Sequence, residues 1–406
     1  MSALEGPLAW RLLTPEAVRE RSTELYAAAL DGRLPGWRVH PEALPACAEL
    51  VAAEIRSRYP TLEVPFHARW RHFAVGGVDR WAALRALAEF PSPAAEARSA
   101  FDLAIISVLL DAGAGAAWRY TETGTGQVLA RSEGLAVASL AMFAAGLFAE
   151  DGVSPRADAA RLARITEAEL ALGFQVNEAN PLIGLEGRAA LLRRLGEVAL
   201  AAPEVFARAD SARPGGLFDL LAAGGEVPAR AILIALLRHL GPIWPGREWL
   251  EGVPLGDCWR HPGIHRADET AGLIPFHKLS QWLAYSLVEP LAAAGHAVVG
   301  LDALTGLAEY RNGGLFLDAG VISPEDPEAN MRDHQPGDLL IVGWRALTVA
   351  LLDAIAPLVR ERLGLRDFPL ARVLEGGTWW AGRKLAAGKR EDGGPPLKVI
   401  SDGTLF

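Results

Sequence analysis

Apolar and polar positions follow a helical period along most of the chain. Apolar side chains, mainly Ala and Leu, recur three and four residues apart, a spacing that gathers them on one face of an α-helix. One helix is predicted to open at Thr14-Pro15-Glu16, with Thr as the cap and Pro in the first turn. The other predicted helices are Pro41–Arg58, Pro93–Ala112, Ser132–Ala149, Glu186–Leu200, Pro228–Leu240, Pro275–Ala293 and Asp338–Leu363. Strand candidates are few and short: Gln127–Ala130, His296–Gly300 and Leu397–Ile400.

The fold class expected from this pattern is mainly α, a large multi-helical domain with few short strands. The Pro- and Gly-rich stretches are short enough to be loops, and the sequence contains neither an internal repeat nor a low-complexity linker. We expect a single helical domain over residues 1–406, with a division into two lobes, about 1–160 and 161–406, meeting at a cleft as the alternative. The longest apolar stretches, Gly134–Ala149 and Leu339–Val359, are predicted to be core helices and not membrane spans, since the first is too short and the second contains charges.

Charge and cysteine content narrow the function classes. The 406-residue chain carries a formal net charge of −9, which argues against a protein that binds a nucleic-acid backbone. Cys47 and Cys258 have no metal-ligand spacing and are predicted to be buried thiols of a reducing compartment. The first residues lack a basic region followed by a long apolar run, so we expect a cytoplasmic protein. A small anionic ligand stays compatible with this charge.

The first polar interruption of an apolar segment is Ile274–Tyr285. On a helical wheel Lys278, Gln281, Trp282 and Tyr285 lie opposite the apolar face. A cation, an amide and two aromatic rings are typical of a small-ligand pocket. The alternative is a partly buried helix whose lysine reaches solvent.

The second interruption follows the first within twenty residues. If a helix begins at Asp302, Glu309 lies on the same stripe, in apolar surroundings, and Gly313 is near the helix end. Asp302 alone could be an N-cap. A carboxylate in the position of Glu309 needs a cationic partner, and Lys278 or Arg311 could supply it. The sequence is compatible with two roles for Glu309, a member of a structural ion pair and a catalytic carboxylate.

A third set of polar residues flanks the apolar run before residue 112. Asp102 and Asp111 bracket that run, and Asp111 near a helix C-terminus is unfavourable unless a neighbour compensates it. Arg119 follows in a Gly-rich turn. Ser132 is the predicted cap of the next helix, which leaves Arg131 unexplained by capping.

The fourth set lies near the C-terminus. Arg383, Lys384, Lys389 and Arg390 are ordinarily a solvated face. Alternatively, Arg383 and the Gly-rich segment around Thr378 could hold a phosphate through guanidinium and backbone N–H groups.

Other signals are set aside. His261 and His265 are separated by Pro-Gly and lack a third zinc ligand, so no metal and no cofactor is predicted. The basic cluster His67–His72 is interpreted as surface packing. Val298–Gly306 superficially resembles a phosphoribosyltransferase diphosphate loop, but it has one acidic residue and no surrounding βαβ alternation.

Six separated blocks carry a family resemblance that covers nearly the whole chain. They resemble the uracil-catabolism protein family of fungi and bacteria, in whose pathway uracil is ribosylated and opened to ribosylurea-type intermediates and urea. The blocks are Asp102–Tyr120, Arg131–Ser139, Asn180–Arg188, Ile274–Tyr285, Asp302–Ile322 and Gly376–Arg383.

A more distant resemblance concerns about fifty residues. Phe276–Gln281, Leu304–Arg311 and Leu317–Val321 are similar to paired blocks of the queuosine-phosphate N-glycosylase family. The resemblance implies a helical architecture like that of DNA glycosylases and metal-independent cleavage of a ribose 5-phosphate C–N bond. This sequence has Glu309 where that pattern has Asp, which leaves open whether the role stays at this position.

The function predicted from these residues is hydrolysis of an N-ribosyl bond in ribosylurea or its 5-phosphate. Glu309 is the predicted catalytic carboxylate, with Asp102 or Asp111 as a ribose ligand or second acid. A non-catalytic ligand-binding or scaffold protein is the alternative, and a uracil phosphoribosyltransferase is a further one. The expected partner is the small ribosyl substrate, with no nucleic acid and no membrane. The residues predicted to bind the substrate and any phosphate are Arg119, Arg131, Lys278, Gln281, Trp282, Tyr285, Tyr310, Arg311 and Arg383.

Overall fold

The computed structural model describes residues 6–209, 211–244 and 247–400, and most of them lie in helices. The mainly α prediction is confirmed. In the first half of the chain the α-helices are α1 Pro15–Leu30, α2 Leu44–Arg58, α3 Trp70–Phe73, α4 Arg80–Ala88, α5 Pro93–Leu109, α6 Arg131–Ala144, α7 Ala159–Leu162, α8 Glu167–Gly173, α9 Leu185–Ala201 and α10 Pro203–Phe206. In the second half they are α11 Leu217–Leu221, α12 Ala229–Leu240, α13 Lys278–Ala293, α14 Tyr310–Asp318, α15 Leu339–Leu363, α16 Leu370–Val373 and α17 Trp379–Lys389.

The strands are two or three residues long and form six two-stranded pairs within the described residues. Four pairs are antiparallel: β1 Trp37–Val39 with β10 Ile322–Pro324, β2 Tyr120–Thr121 with β3 Val128–Leu129, β5 Trp249–Leu250 with β6 Val253–Pro254, and β7 Cys258–Arg260 with β8 Leu273–Pro275. Two are parallel: β4 Glu226–Pro228 with β9 Ala297–Val299, and β11 Asp333–His334 with β12 Lys398–Val399. All three strand predictions coincide with one of these strands. Such short strand pairs join neighbouring loops by hydrogen bonds and do not form a core sheet.

Capping chemistry explains where several helices begin. The Thr14 hydroxyl accepts a hydrogen bond from the Ala17 N–H at 3.2 Å, and Pro15 occupies the first turn of α1. Ser92 caps α5 in the same way. The prediction that Ser132 caps α6 is wrong. Ala130 is the N-cap of this helix, and the Ser132 hydroxyl donates to the Asp111 carboxylate at 3.1 Å.

The chain divides into two compact units that interleave in sequence. Among the described residues, unit 1 contains 6–67, 247–281 and 300–400, and unit 2 contains 68–209, 211–244 and 282–299. The division near residue 160 that we considered from the sequence falls inside unit 2. Helix α13 begins in unit 1 and continues in unit 2.

Helix α15 is the central helix of unit 1 and packs against α1, α2 and α14. Among the described residues it is the one helix long and apolar enough to cross a membrane, with a mean hydropathy of 1.9 over its most apolar window. Yet 78% of that window is buried inside the protein, as a core helix requires. Its two internal charges are paired, Arg345 with Asp257 and Asp353 with Arg19, each at 2.7 Å.

In unit 2 two long helices organise the packing. Helix α5 packs against α6 and α11, and α9 packs against α7, α8 and α10. From Ala97 to Leu109 nearly every side chain of α5 is buried, which matches the apolar run seen in the sequence.

Helix α17 approaches α14 closely at Gly382, and this contact predicts a large effect of one methyl group. A Cβ at Gly382 would lie 2.3 Å from the Arg311 carbonyl oxygen, whereas a Cβ at Gly388 on the same helix meets nothing within 4 Å. We expect Gly382→Ala to lower the free energy of unfolding by about 1–3 kcal/mol through overpacking. Gly388→Ala should change it by less than about 1 kcal/mol, in the stabilising direction. Urea unfolding of both variants checks this, and equal effects would contradict the packing described.

Candidate active site

The two sequence blocks predicted to work together do meet within unit 1. The Gln281 side-chain amide donates to the Thr305 hydroxyl at 2.8 Å, and its carbonyl oxygen accepts from the Thr305 N–H at 3.4 Å. Gln281 is fully buried in the first turn of α13. This reciprocal pair fixes the loop that leads to Glu309 against the start of α13.

Glu309 is the N-cap of α14. One carboxylate oxygen accepts from the Arg311 N–H at 2.8 Å and the other from the Asn312 N–H at 2.6 Å. The residue is 8% exposed. Two backbone N–H groups at a helix N-terminus stabilise the anionic form of a carboxylate and hold it in one orientation.

The predicted helix from Asp302 through Glu309 is wrong. A short 3₁₀ turn at Leu301–Ala303 is followed by extended backbone, and the helix starts only after Glu309. Side chains take the place of helical hydrogen bonds here: Arg19 binds the Leu304 carbonyl at 2.8 Å, and Arg345 binds the Ala308 carbonyl at 3.3 Å. Gly313, expected near a helix end, lies inside α14, where its lack of a side chain makes room for Trp344.

A buried ion pair supports both helix starts. The Arg345 guanidinium binds both carboxylate oxygens of Asp257 at 2.7 Å, and Asp257 also accepts from the Lys278 N–H at 3.0 Å. Burial tends to raise the pKa of Asp257, but the Arg345 guanidinium outweighs this effect and holds that pKa well below the usual range for aspartate. Asp257 and Arg345 therefore position Lys278, at the beginning of α13, and Ala308, directly before Glu309.

Cations and indoles gather where α14 packs against α17. The Arg311 guanidinium carbon lies 5.0 Å from the Tyr310 ring centre and 5.4 Å from that of Trp379. Arg383 lies over the same Trp379 ring at 5.4 Å and over Trp380 at 5.3 Å. The Gly-rich segment proposed as a phosphate loop is helical instead, a π-helix over Leu374–Thr378 that continues into α17, so its N–H groups are committed to the helix.

Sequence reasoning missed a buried His–Glu pair in this part of unit 1. His67 and Glu375 are both more than 90% buried, with the imidazole Nδ1 2.8 Å from the Glu375 carboxylate. Glu375 lies on the π-helix, a local irregularity that is frequent at functional sites. No local pattern in the sequence indicates this pair, because 308 residues separate its members.

In unit 2 the compensation expected for Asp111 comes from Arg69. Arg69, interpreted from the sequence as surface packing, is fully buried and lies 2.8 Å from the Asp111 carboxylate. Its guanidinium also donates to the Ser107 hydroxyl at 2.7 Å and lies 5.4 Å from the Trp282 ring centre. Asp111 is thus part of a buried network, and the ion pair with Arg69 compensates its unfavourable position near a helix C-terminus.

Asp102 is fully buried within unit 2 and is engaged on all sides. Its carboxylate accepts from the Arg213 guanidinium, from the Gly215 N–H at 2.6 Å and from the Ala157 N–H at 3.1 Å. A carboxylate held in this way anchors three chain segments, and we therefore leave Asp102 out of the catalytic set.

The remaining predicted residues also lie in unit 2. Arg119 is exposed and donates to the carbonyls of Ala116 and Trp118, both at 2.7 Å. Arg131 is exposed, with a positive φ of 54° at the start of α6. Tyr285 is completely buried and Trp282 is 6% exposed, so packing in the core accounts for much of their surface. Unit 1 therefore contains Lys278, Gln281, Glu309, Tyr310, Arg311 and Arg383 of the predicted set.

Comparison with known proteins identifies the family. The sequence profile of the DUF1688 family, described as a protein of unknown function, matches residues 11–406. The chain belongs to the DUF1688 family. Protein urg3 of Schizosaccharomyces pombe is 37% identical over 414 residues, which cover 98% of each chain. Uracil catabolism protein 4 of Lachancea kluyveri is 36% identical over 431 residues, 96% of this chain and 97% of the relative. The family resemblance noted in the sequence is confirmed.

The DUF1688 chain also contains a strained histidine beside the candidate site. His277 precedes α13, adopts a positive φ of 49°, and lies completely within the core with its Nε2 3.0 Å from the Leu12 carbonyl. A non-glycine residue with a positive backbone φ is uncommon and persists only where the surrounding structure requires it. Burial lowers the pKa of His277 below its ordinary value, although the Leu12 contact opposes this.

This lowered pKa predicts a pH dependence of stability. Below pH about 6.5 the unfolded chain binds a proton that the folded state refuses, so stability falls as the pH drops from 7 toward the folded pKa. The slope of the free energy of unfolding against pH should be smaller in His277→Asn, by up to about 1.4 kcal/mol per pH unit. Asparagine is suitable here because it tolerates a positive φ. His265→Asn, at an exposed position, is the control. Urea unfolding at pH 7 and pH 5 measures the difference, and parallel slopes for all three proteins would exclude a role for His277.

Proposed function

We propose that this chain acts in uracil catabolism and there hydrolyses the N-ribosyl bond of ribosylurea or its 5-phosphate, releasing urea. The name of the Lachancea kluyveri relative, uracil catabolism protein 4, supports the pathway. The observation that supports the chemistry is Glu309, a buried carboxylate whose two oxygens are both held by backbone N–H groups at the start of α14.

The proposed reaction replaces one bond at the anomeric carbon. The C1–N bond breaks and a water oxygen bonds to C1, while the proton lost by water ends on the departing urea nitrogen. Positive charge develops at C1 in the transition state, and an oriented carboxylate stabilises it. We assign this role to Glu309, because its two N–H donors hold the carboxylate in one orientation.

Other residues of unit 1 have supporting roles in this proposal. Lys278 and Tyr310 flank the two helix starts and bind polar groups of the substrate. Gln281 acts indirectly, since its amide is engaged by Thr305 and keeps the loop before Glu309 in place. Gln281 is therefore a positioning residue.

A urea assay tests this function. Purified protein is incubated with ribosylurea and, separately, with its 5-phosphate, and urea and reducing sugar are measured over time. Linear release of both products in equal amounts is expected for at least one substrate. Glu309 as an N-cap would equally suit a non-catalytic binding protein, and saturable binding without product formation would favour that alternative.

A further inference from the structure

Arg311 differs from the other buried arginines of the described residues in one respect. Arg21, Arg69, Arg80, Arg188, Arg213 and Arg345 each donate to carboxylate, hydroxyl or carbonyl oxygens of the protein. Arg311 is 6% exposed, but within residues 6–209, 211–244 and 247–400 its guanidinium is not paired with a carboxylate and has no hydrogen-bond acceptor. The faces of Tyr310 and Trp379 are its neighbours.

Aromatic faces attract a cation but do not satisfy its N–H groups. A guanidinium has five N–H donors in a planar fork, and ring faces accept few of them. Burying a cation without an anion is costly, and proteins avoid it unless an anion binds there. Arg311 lines a small cavity together with Tyr310 and Gly314, so a solute can approach its side chain from there. The arrangement fits a binding group for an external anion.

A second arginine strengthens this conclusion. Arg383 lies one helical turn after Trp379 and faces the same indole that Arg311 contacts. Because both guanidinium groups lie within 5.4 Å of the Trp379 ring centre, both attract an anion of two negative charges that binds near this ring. Planar guanidinium forks match the oxygens of a phosphate group better than lysine does.

We propose that Arg311 and Arg383 form a phosphate subsite around Trp379, so that the substrate is a ribosyl 5-phosphate and not the free ribosyl compound. The identity of the sugar rests on the proposed function, whereas the anion site rests on Arg311 itself. Glu309 is two residues before Arg311 at the same helix start. A single ribosyl 5-phosphate could therefore place its reacting carbon at Glu309 and its phosphate at Arg311. A phosphorylating or phosphoribosyl-transfer reaction must then supply the substrate.

The decisive variant is Arg311→Met, because it removes the charge and preserves most of the volume. Without ligand, Arg311→Met should be as stable as the parent or more stable, since it eliminates an unpaired buried cation. A merely structural arginine would instead lose stability when replaced. Thermal unfolding is measured with inorganic phosphate, ribose 5-phosphate and ribose, using Arg33→Met at an exposed position as the control.

The parent and Arg33→Met should be stabilised by phosphate and ribose 5-phosphate but not by ribose, and Arg311→Met by none of the three. Arg311→Lys should retain part of the stabilisation. Equal stabilisation of Arg311→Met and parent by phosphate would overturn the proposal, and so would a parent that binds ribose as tightly as ribose 5-phosphate.

Turnover separates this inference from the proposed function. For the phosphorylated substrate, KM should rise at least about tenfold in Arg311→Met with kcat little changed, the effect of losing a charge-assisted contact. Phosphate binding through Arg311 without urea release would support the phosphate subsite and contradict the proposed hydrolase activity. Urea release from the phosphorylated substrate with the same KM in Arg311→Met and parent would support the hydrolase and contradict the subsite.

Discussion

Replacing Glu309 by glutamine is expected to lower urea release about 10²- to 10³-fold, the loss typical of one oriented group that stabilises transition-state charge. The amide keeps the shape of the side chain and one oxygen that can accept a helix N–H, but it carries no charge. KM should change little, because the carboxylate acts mainly on the charge that develops during C–N cleavage. Steady-state kinetics with the substrate that the parent hydrolyses measures the effect.

Capping by Glu309 has to be separated from catalysis in this experiment. Asp79 caps α4 through a carboxylate that accepts from the Ala82 N–H at 2.9 Å. Asp79→Asn therefore reproduces the loss of a charged cap at another helix and should retain full activity. Both variants should lose no more than about 1–2 kcal/mol of stability. A fully active Glu309→Gln protein would restrict Glu309 to a structural role.

The largest loss of stability is expected from breaking the Asp257–Arg345 pair. Asp257→Asn leaves the Arg345 guanidinium, 2% exposed, without its counter-ion, and should cost about 3–5 kcal/mol. It also weakens the contact with the Lys278 N–H at the start of α13. Activity should fall as well, because Arg345 binds the carbonyl of Ala308, directly before Glu309.

A double variant tests whether this cost comes from an unpaired buried charge. Arg345→Met alone should be as damaging as Asp257→Asn, and the two together should be less destabilising than the sum of the single effects. Urea unfolding gives the coupling energy. Additive losses would mean that the two residues do not act as a pair.

The pH dependence of this pair has a definite sign. The pKa of Asp257 is lowered in the folded state, so the stability it contributes is present above the unfolded pKa of aspartate and is lost as the pH falls through the folded value. Asp257→Asn removes that contribution.

Helix positions could be predicted from the sequence because they depend on local periodicity and capping. Thr14 with Pro15 and Ser92 with Pro93 are short-range signals, and both helices begin there. The pattern fails between Asp302 and Glu309, where Arg19, Gln281 and Arg345 satisfy the backbone from distant parts of the chain. A local pattern cannot report such contacts.

The candidate site was only partly predictable for the same reason. Lys278, Gln281 and Glu309 interrupt apolar segments and can be noticed in the sequence, whereas the hydrogen bond between Gln281 and Thr305 is visible only in the structure. Arg69 and His67 could not be distinguished from surface residues, because their burial depends on Asp111 and Glu375 elsewhere in the chain. Arg311 was predicted from the sequence as a substrate-binding residue, but only the structure shows that its guanidinium has no acceptor among the described residues.

The central claim is that the bond cleaved joins urea nitrogen to the sugar. Ribosylurea 5-phosphate labelled with ¹³C at the ureido carbon is incubated with the protein, and the labelled product is identified by ¹³C NMR. Labelled urea, in equal amount to ribose 5-phosphate and formed at least about 100-fold more slowly with Glu309→Gln, is the predicted result. Labelled bicarbonate would show that the ureido group itself is hydrolysed and would contradict N-ribosyl cleavage.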